Sequence, residues 1–352
     1  MSIRLMVVDD SAFMRKIVSD AAAQIQGIEV VGIARNGQDA IDSMSRLKPD
    51  IVTMDIEMPK MDGIQALKIL KRDYPKVHVI MLSAYSKTGS QVTMEALELG
   101  ALDFIEKSSE ASKSSIEDLK NQLESKLVVA KVLSSKLEER NETTEKISGI
   151  PNKNIDAKYS NVEAIAIGAS TGGPKVLFDI IRKLPGNLNM PVLIVQHMPK
   201  GFTASFAERL DNECSLKVVE AKQNMELRAG TVYVAPGDFH MTIEGNIVKL
   251  DQRPKLHGVR PAVDYMFETA AKKYKEKLLA IILTGMGKDG AAGMTLVKDL
   301  GGHTMAQDRA SCVVYGMPGY AESSGVVDVI MTPAQMTEKI IRISERKNGT
   351  GI

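Results

Sequence analysis

Short runs of consecutive apolar residues recur along this chain, and each is followed by a stretch with apolar residues every three to four positions. Runs of the first kind suit strands buried on both faces, and stretches of the second kind suit amphipathic helices. Over residues 3–108 the pattern predicts strands at 3–8, 30–34, 51–54, 77–82 and 102–105. Helical spacing falls between them, at 13–25, 38–47, 64–70 and 92–99. Strict alternation of strand and helix implies a parallel sheet covered on both sides. Helical periodicity then continues through Ile116, Leu119, Leu123, Leu127, Ala130, Leu133 and Leu137, as in an extended stalk. Residues 138–161 are polar, carry Gly149 and Pro151, and read as a flexible tether.

The alternation resumes at Val162. Strands are predicted at 164–167, 191–196, 217–221, 231–235, 240–243, 247–250 and 278–283, with residues 244–246 as a hairpin turn between two of them. Helical patterns occupy 176–184, 202–210, 262–273 and 291–300. The expected fold class is α/β: two doubly wound parallel-sheet domains, the second with an added β-hairpin. The expected division is a domain over 1–124, a helical extension and linker over 125–160, and a second domain over 161–348.

A chain of 352 residues has length for two buried cores. Its net charge of +1 argues against a protein that coats nucleic acid. Two cysteines, Cys214 and Cys312, form neither a disulfide framework nor a metal spacing, which suits a reducing compartment. The amino terminus lacks a secretory layout, and no apolar run is long enough to cross a bilayer. The expected location is the cytoplasm.

Chemistry collects where strands end. Asp9 and Asp10 follow the first strand, Asp55 ends the third, Ser83 ends the fourth and Lys107 follows the fifth. In a parallel α/β sheet these positions share the carboxyl edge, where ligands bind. Three carboxylates there repel one another unless a cation sits among them, and a hard ion such as Mg²⁺ suits oxygen donors. The Lys107 ammonium and the Ser83 hydroxyl can both engage an anion beside Asp55.

In the second domain, Gly168-Ala-Ser-Thr-Gly172 places Ser170 on the turn between a buried strand and a helix that starts at Pro174. This matches the G-x-S-x-G nucleophile pattern; a glycine-rich phosphate loop or a plain tight turn has the same composition. His197 ends the strand 191–196, and Asp289 sits in the glycine-rich stretch after strand 278–283. A serine hydroxyl needs a base to take its proton and an acid to orient that base. Of the five histidines, His78 lies in the first domain, His240 opens the hairpin, His257 lies in a loop and His303 precedes a strand at the opposite edge. Only His197 shares Ser170's edge. The order Ser, His, Asp differs from the Ser, Asp, His order of α/β-hydrolases.

Asp9-Asp10-Ser11, Asp55-Ile-Glu-Met-Pro-Lys-Met-Asp-Gly63, Leu82-Ser-Ala84 and Phe104-Ile-Glu-Lys107 resemble a response-regulator receiver domain. The resemblance implies that Asp55 accepts a phosphoryl group from a histidine kinase. It further implies that Asp9, Asp10 and Asp55 bind Mg²⁺, that Ser83 and Lys107 contact the phosphoryl oxygens, and that Phe104 is the switch aromatic. Ser108 stands where that family usually has proline, which leaves the local backbone there open.

Gly168-Ala-Ser-Thr-Gly-Gly-Pro174, Gln196-His-Met198, Leu283-Thr-Gly-Met-Gly-Lys-Asp-Gly290 and Ala310-Ser-Cys-Val-Val-Tyr-Gly-Met-Pro318 resemble the catalytic domain of the chemotaxis protein-glutamate methylesterases, the CheB family. That family has this same order of receiver, tether and esterase, so the resemblance spans nearly the whole chain. It implies Ser170 as nucleophile, His197 as base, Asp289 as orienting acid and the Met286 N–H as oxyanion donor. The implied activity is demethylation of glutamyl esters, and deamidation of certain glutamines, on chemoreceptor cytoplasmic helices. No cofactor is implied for the ester chemistry, and the membrane is met only through the receptors. Control is implied by a receiver that covers the Ser170 edge until Asp55 is phosphorylated.

Two other outputs compete. A nucleic-acid-binding domain would need a basic recognition helix, and the second module shows no helix–turn–helix pattern. Its best basic run, Lys249, Arg253, Lys255, His257 and Arg260, reads as a solvated loop. A small-molecule hydrolase under the same control is the second alternative. Met198, Phe202 and Met317 read as core.

Overall fold

A computed structural model describes residues 2–84, 86–107, 113–139 and 159–347. Residues 140–158 of the expected tether, and Ser108, lie outside the described residues. The chain divides into two compact units, residues 1–146 and 147–352. Among the described residues no helix is long and apolar enough to cross a membrane.

In the first unit, β1 (Ile3–Val8), β2 (Ile28–Ala34), β3 (Ile51–Asp55), β4 (His78–Ala84) and β5 (Asp103–Lys107) form one sheet in the order β2-β1-β3-β4-β5. Every pairing is parallel. This is the flavodoxin-like winding. The helices are α1 (Ala12–Ala23), α2 (Gly37–Leu47), α3 (Gly63–Asp73), α4 (Lys87–Glu98) and α5 (Lys113–Glu139). Leu5 to Val8 and Val79 to Leu82 are wholly buried, as strands with helices on both faces must be. Ser11, Asn36, Asp62 and Ser86 cap the first four helices, each accepting a backbone N–H one turn on. Leu119, Leu123, Leu127 and Ala130 give α5 a buried stripe.

In the second unit, β6 (Ala164–Ala169), β7 (Val192–Gln196), β8 (Lys217–Glu220), β9 (Thr231–Val234), β12 (Leu278–Ile282), β13 (His303–Gln307) and β14 (Val329–Met331) form a parallel sheet. Its order is β14-β13-β12-β6-β7-β9-β8. β10 (His240–Glu244) and β11 (Ile247–Asp251) make a separate antiparallel hairpin, the one the alternation predicted. The helices are α6 (Gly173–Ile181), α7 (Phe202–Glu213), α8 (Val263–Tyr274), α9 (Ala291–Asp299), α10 (Met317–Ser323) and α11 (Pro333–Lys347). β6 is central: the chain winds one way through β7, β9 and β8 and the other way through β12, β13 and β14. The crevice at such a reversal is where doubly wound sheets place their sites. A side chain at Gly168 would collide with Val263, so the glycine lets the start of α8 sit directly on β6.

Candidate functional site

In the receiver unit, Asp9, Asp10 and Asp55 each bring a carboxylate oxygen within 4.8 Å of the others. Asp9 and Asp55 are buried, and Asp10 is exposed. Lys107, the last residue of β5, sets its Nζ 2.8 Å from Asp9 Oδ2 and 2.7 Å from Asp55 Oδ1. Backbone amides hold both acids: Ser11 N–H donates to Asp9 Oδ1 (2.9 Å) and Ile56 N–H to Asp55 Oδ1 (2.8 Å). Burial pushes Asp55 up to about 6; Lys107 opposes that rise and Asp9 adds to it. All three donors are carboxylates, and burial beside a second acid leaves negative charge poorly offset. That donor set fits a hard divalent cation.

Ser83 is buried on β4, and its hydroxyl is engaged with α4: it donates to Gly89 O (3.3 Å) and accepts from Thr93 Oγ1 (2.7 Å). The structure therefore gathers Asp9, Asp10, Asp55 and Lys107 into one cluster and ties Ser83 to the neighbouring helix. Phe104 is buried on β5.

In the second unit, β6 and β7 pair in register through Ala169↔Gln196, so Ser170 and His197 are the next residues on adjacent strands. Adjacent strands lie about 4.8 Å apart. His197 N–H donates to Ala169 O (3.0 Å) and Ser170 N–H to Thr284 O (3.0 Å), which joins the ends of β6, β7 and β12. The buried Gln196 amide donates to Ser170 O (2.9 Å) and to His197 O (3.3 Å). After Ser170 the chain turns through Gly172, whose φ of +77° favours glycine, and α6 begins with proline in its first turn.

Asp289 is buried, and its Oδ2 lies 2.8 Å from His197 Nε2. The same carboxylate accepts the first two N–H groups of α8, from Val263 (2.7 Å) and Asp264 (3.0 Å). Burial pushes Asp289 up, but the His197 ring and these amides outweigh it and hold the carboxyl below the usual range. With Nε2 directed at Asp289, Nδ1 is the ring nitrogen left to take a proton.

Gly285 packs against Ser170: a β-carbon on it would lie 2.7 Å from Ser170 Cβ. Gly285 O accepts from both Gly316 N–H (3.1 Å) and Met317 N–H (2.8 Å), which anchors the turn. The next residue, Met286, is 46% exposed.

The other histidines sit elsewhere. His303 opens β13 at the far edge, with its ring 4.8 Å from that of Tyr159. His240 is buried and accepts from Ala262 N–H (3.2 Å). Met198, Phe202 and Met317 are core. In the basic run, Arg253 is paired with Asp251 and stacked on Tyr265, and Arg260 is paired with Asp238. Sequence reasoning set His257 aside as a loop residue, quoted Gln196 within a family motif without giving it a role, and did not single out Asp264, since an acid in the first turn of a helix is ordinary.

A five-stranded receiver fold with its acid cluster, joined to a second parallel-sheet unit bearing a serine–histidine–aspartate edge, defines a response regulator with a hydrolase-like output. The chain matches the response regulator receiver domain over residues 5–117 and the CheB methylesterase over residues 165–340. A protein-glutamate methylesterase/protein-glutamine glutaminase of Pyrococcus abyssi is 42% identical over 99% of this chain and 95% of its own length. One of the same name from Clostridium acetobutylicum is 42% identical over 97% of each. The crystal structure of the Thermotoga maritima CheB methylesterase catalytic domain is 45% identical, with a TM-score of 0.51 over 52% of this chain and 98% of that one. The chain belongs to the CheB methylesterase family.

Proposed function

We propose that this protein is a cytoplasmic serine esterase, controlled by phosphorylation, that removes methyl groups from glutamyl γ-methyl esters on chemoreceptor helices. Convergence of Ser170, His197 and Asp289 at one sheet edge, with His197 Nε2 on Asp289 at 2.8 Å, carries this reading. Nδ1 of His197 takes the Ser170 proton as Oγ attacks the ester carbonyl. The Met286 N–H receives the oxyanion. The C–OCH₃ bond breaks, and methanol leaves with the proton returned by His197. Water then attacks the acyl-serine by the same exchange, restoring Ser170 and yielding glutamate. With a glutamine side chain, ammonia leaves in place of methanol. Residues 161–348 would form this catalytic domain, with 1–124 the receiver and 125–160 joining them.

Asp55 is the phosphoacceptor, and a histidine kinase supplies the phosphoryl group. The carboxylates of Asp9, Asp10 and Asp55 would hold Mg²⁺, which when bound offsets the charge of phosphate meeting carboxylate. Above about pH 6 the Asp55 carboxyl is ionised and can act as nucleophile. Lys107 pairs with a phosphoryl oxygen, a reading supported by its ammonium lying 2.7 Å from Asp55 Oδ1. Ser83 reaches one by releasing its bonds to α4.

Methanol release from radiomethyl-labelled chemoreceptor membranes tests the control. Release is expected to rise when a small phosphodonor and Mg²⁺ are added to wild-type protein and to stay basal in Asp55→Asn. A variant that remained fully inducible would overturn the assignment of Asp55.

A further inference from the structure

Behind the serine–histidine–aspartate edge lies a second histidine–acid couple. Asp264, the second residue of α8, is buried, and its Oδ2 lies 3.1 Å from His257 Nε2. Its Oδ1 accepts Gly293 N–H in the first turn of α9 (2.7 Å). Asp289, just ahead of α9, accepts the Val263 and Asp264 amides at the start of α8. Each acid thus caps the other's helix, and both helix N-termini direct partial positive charge onto the pair. Single ligand atoms of His257, Asp264 and Asp289 lie within 4.8 Å of one another. Two buried carboxylates so close are unfavourable unless one is offset. His197 faces Asp289, and His257 faces Asp264 from the solvent side. Holding His257 there takes a bent loop, with His257 at φ +53° and Gly258 at φ +81°. A non-glycine residue in that region is strained, so the contact is imposed by the fold.

We propose that Asp264 and His257 are positioning residues of the ester hydrolysis: they fix the two helix ends that hold Asp289, and so the orientation of His197, without touching substrate. The proposal rests on the esterase reading above. The four groups make a chain, His197–Asp289 and Asp264–His257, back to back across two helix N-termini. Burial and the nearby Asp289 charge push the Asp264 carboxyl up, while the Gly293 amide and His257 oppose that rise. Without the imidazole, the Asp264 carboxylate loses its ring partner and faces Asp289 unopposed, so the two helix ends that these acids hold shift and His197 is loosened.

The test uses the full chain and two readouts. The first is kcat and KM for methanol release from radiomethyl-labelled chemoreceptor membranes. His257→Leu, at a partly exposed site, is expected to lower kcat about tenfold with KM nearly unchanged, since misplaced catalytic groups cost rate rather than affinity. His257→Gln keeps an N–H donor and is expected to recover most of that loss. Asp264→Asn keeps the acceptor for Gly293 and is expected to lower kcat about as much as His257→Leu. The second readout is the Nε2–H proton of His197 in ¹⁵N-edited NMR, assigned by its loss in His197→Gln. It is expected as a downfield resonance in wild type and His257→Gln, and to broaden or move in His257→Leu and Asp264→Asn. This signal needs no substrate. Wild type without methanol release would refute the esterase reading, while the His197 resonance still decides the coupling. Unchanged kcat in His257→Leu, or a His197 resonance indifferent to both variants, would overturn the proposal.

Discussion

Replacing Asp55 with asparagine is expected to stabilise the receiver unit at neutral pH while removing the proposed phosphoacceptor. Burial lifts the Asp55 carboxyl to about 6 from an ordinary 3.8, even with the Lys107 ammonium 2.7 Å away. A shift of that size is worth about 3 kcal/mol between the protonation states. The folded protein therefore binds this proton more tightly than the unfolded chain does. Stability falls as pH rises from about 4 to about 6, and the deficit persists above that range. Asparagine keeps an oxygen for the Ile56 N–H and carries no charge, so its variant lacks the deficit. Lys107 retains Asp9 as partner at 2.8 Å. Urea unfolding of the full chain at a series of pH values, with receiver peptides followed by hydrogen exchange, measures the difference. The gap between variant and wild type is expected near zero at pH 4 and about 3 kcal/mol by pH 7. A gap that does not change with pH, or a variant less stable than wild type at pH 7, would refute this account of Asp55.

Two further outcomes concern the catalytic edge. Gly285→Ala would set a methyl 2.7 Å from Ser170 Cβ and against Met317, and is expected to lower kcat about a hundredfold, read by methanol release, by displacing Ser170 and the Met286 turn together. Asp289→Asn is expected to lower kcat by about four orders of magnitude, because an amide that donates to His197 Nε2 leaves the wrong tautomer facing Ser170; retention of the downfield His197 resonance in that variant would contradict the assignment.

Much of this architecture was legible because burial on both sheet faces writes itself as uninterrupted apolar runs. β1, β6, β7 and β12 stood out for that reason, and Asp9, Ser170, His197 and Asp289 followed from being polar just beyond their ends. β14, with three residues and an edge position, was missed, since it is only partly buried and lacks the apolar signature. The strand limits also moved: β4 runs on through Ser83 to Ala84, and β5 takes in Lys107. Side-chain partnership was less legible than position. Nothing in the sequence announces that Gln196 ties Ser170 to His197, or that the loop histidine His257 meets a buried acid of the next helix. The His257 contact depends on where α8 and α9 dock, which involves close approach at Gly168 and Gly293 rather than any local pattern. The engagement of Ser83 with Thr93 is likewise a matter of side-chain direction on a strand already placed correctly.

The most direct test of the central claim counts volatile methanol from radiomethyl-labelled chemoreceptor membranes incubated with the full chain, a phosphodonor and Mg²⁺, for wild type and Ser170→Ala. The account predicts release by wild type and none above background by a folded Ser170→Ala. Release by that variant at a rate comparable to wild type would contradict it.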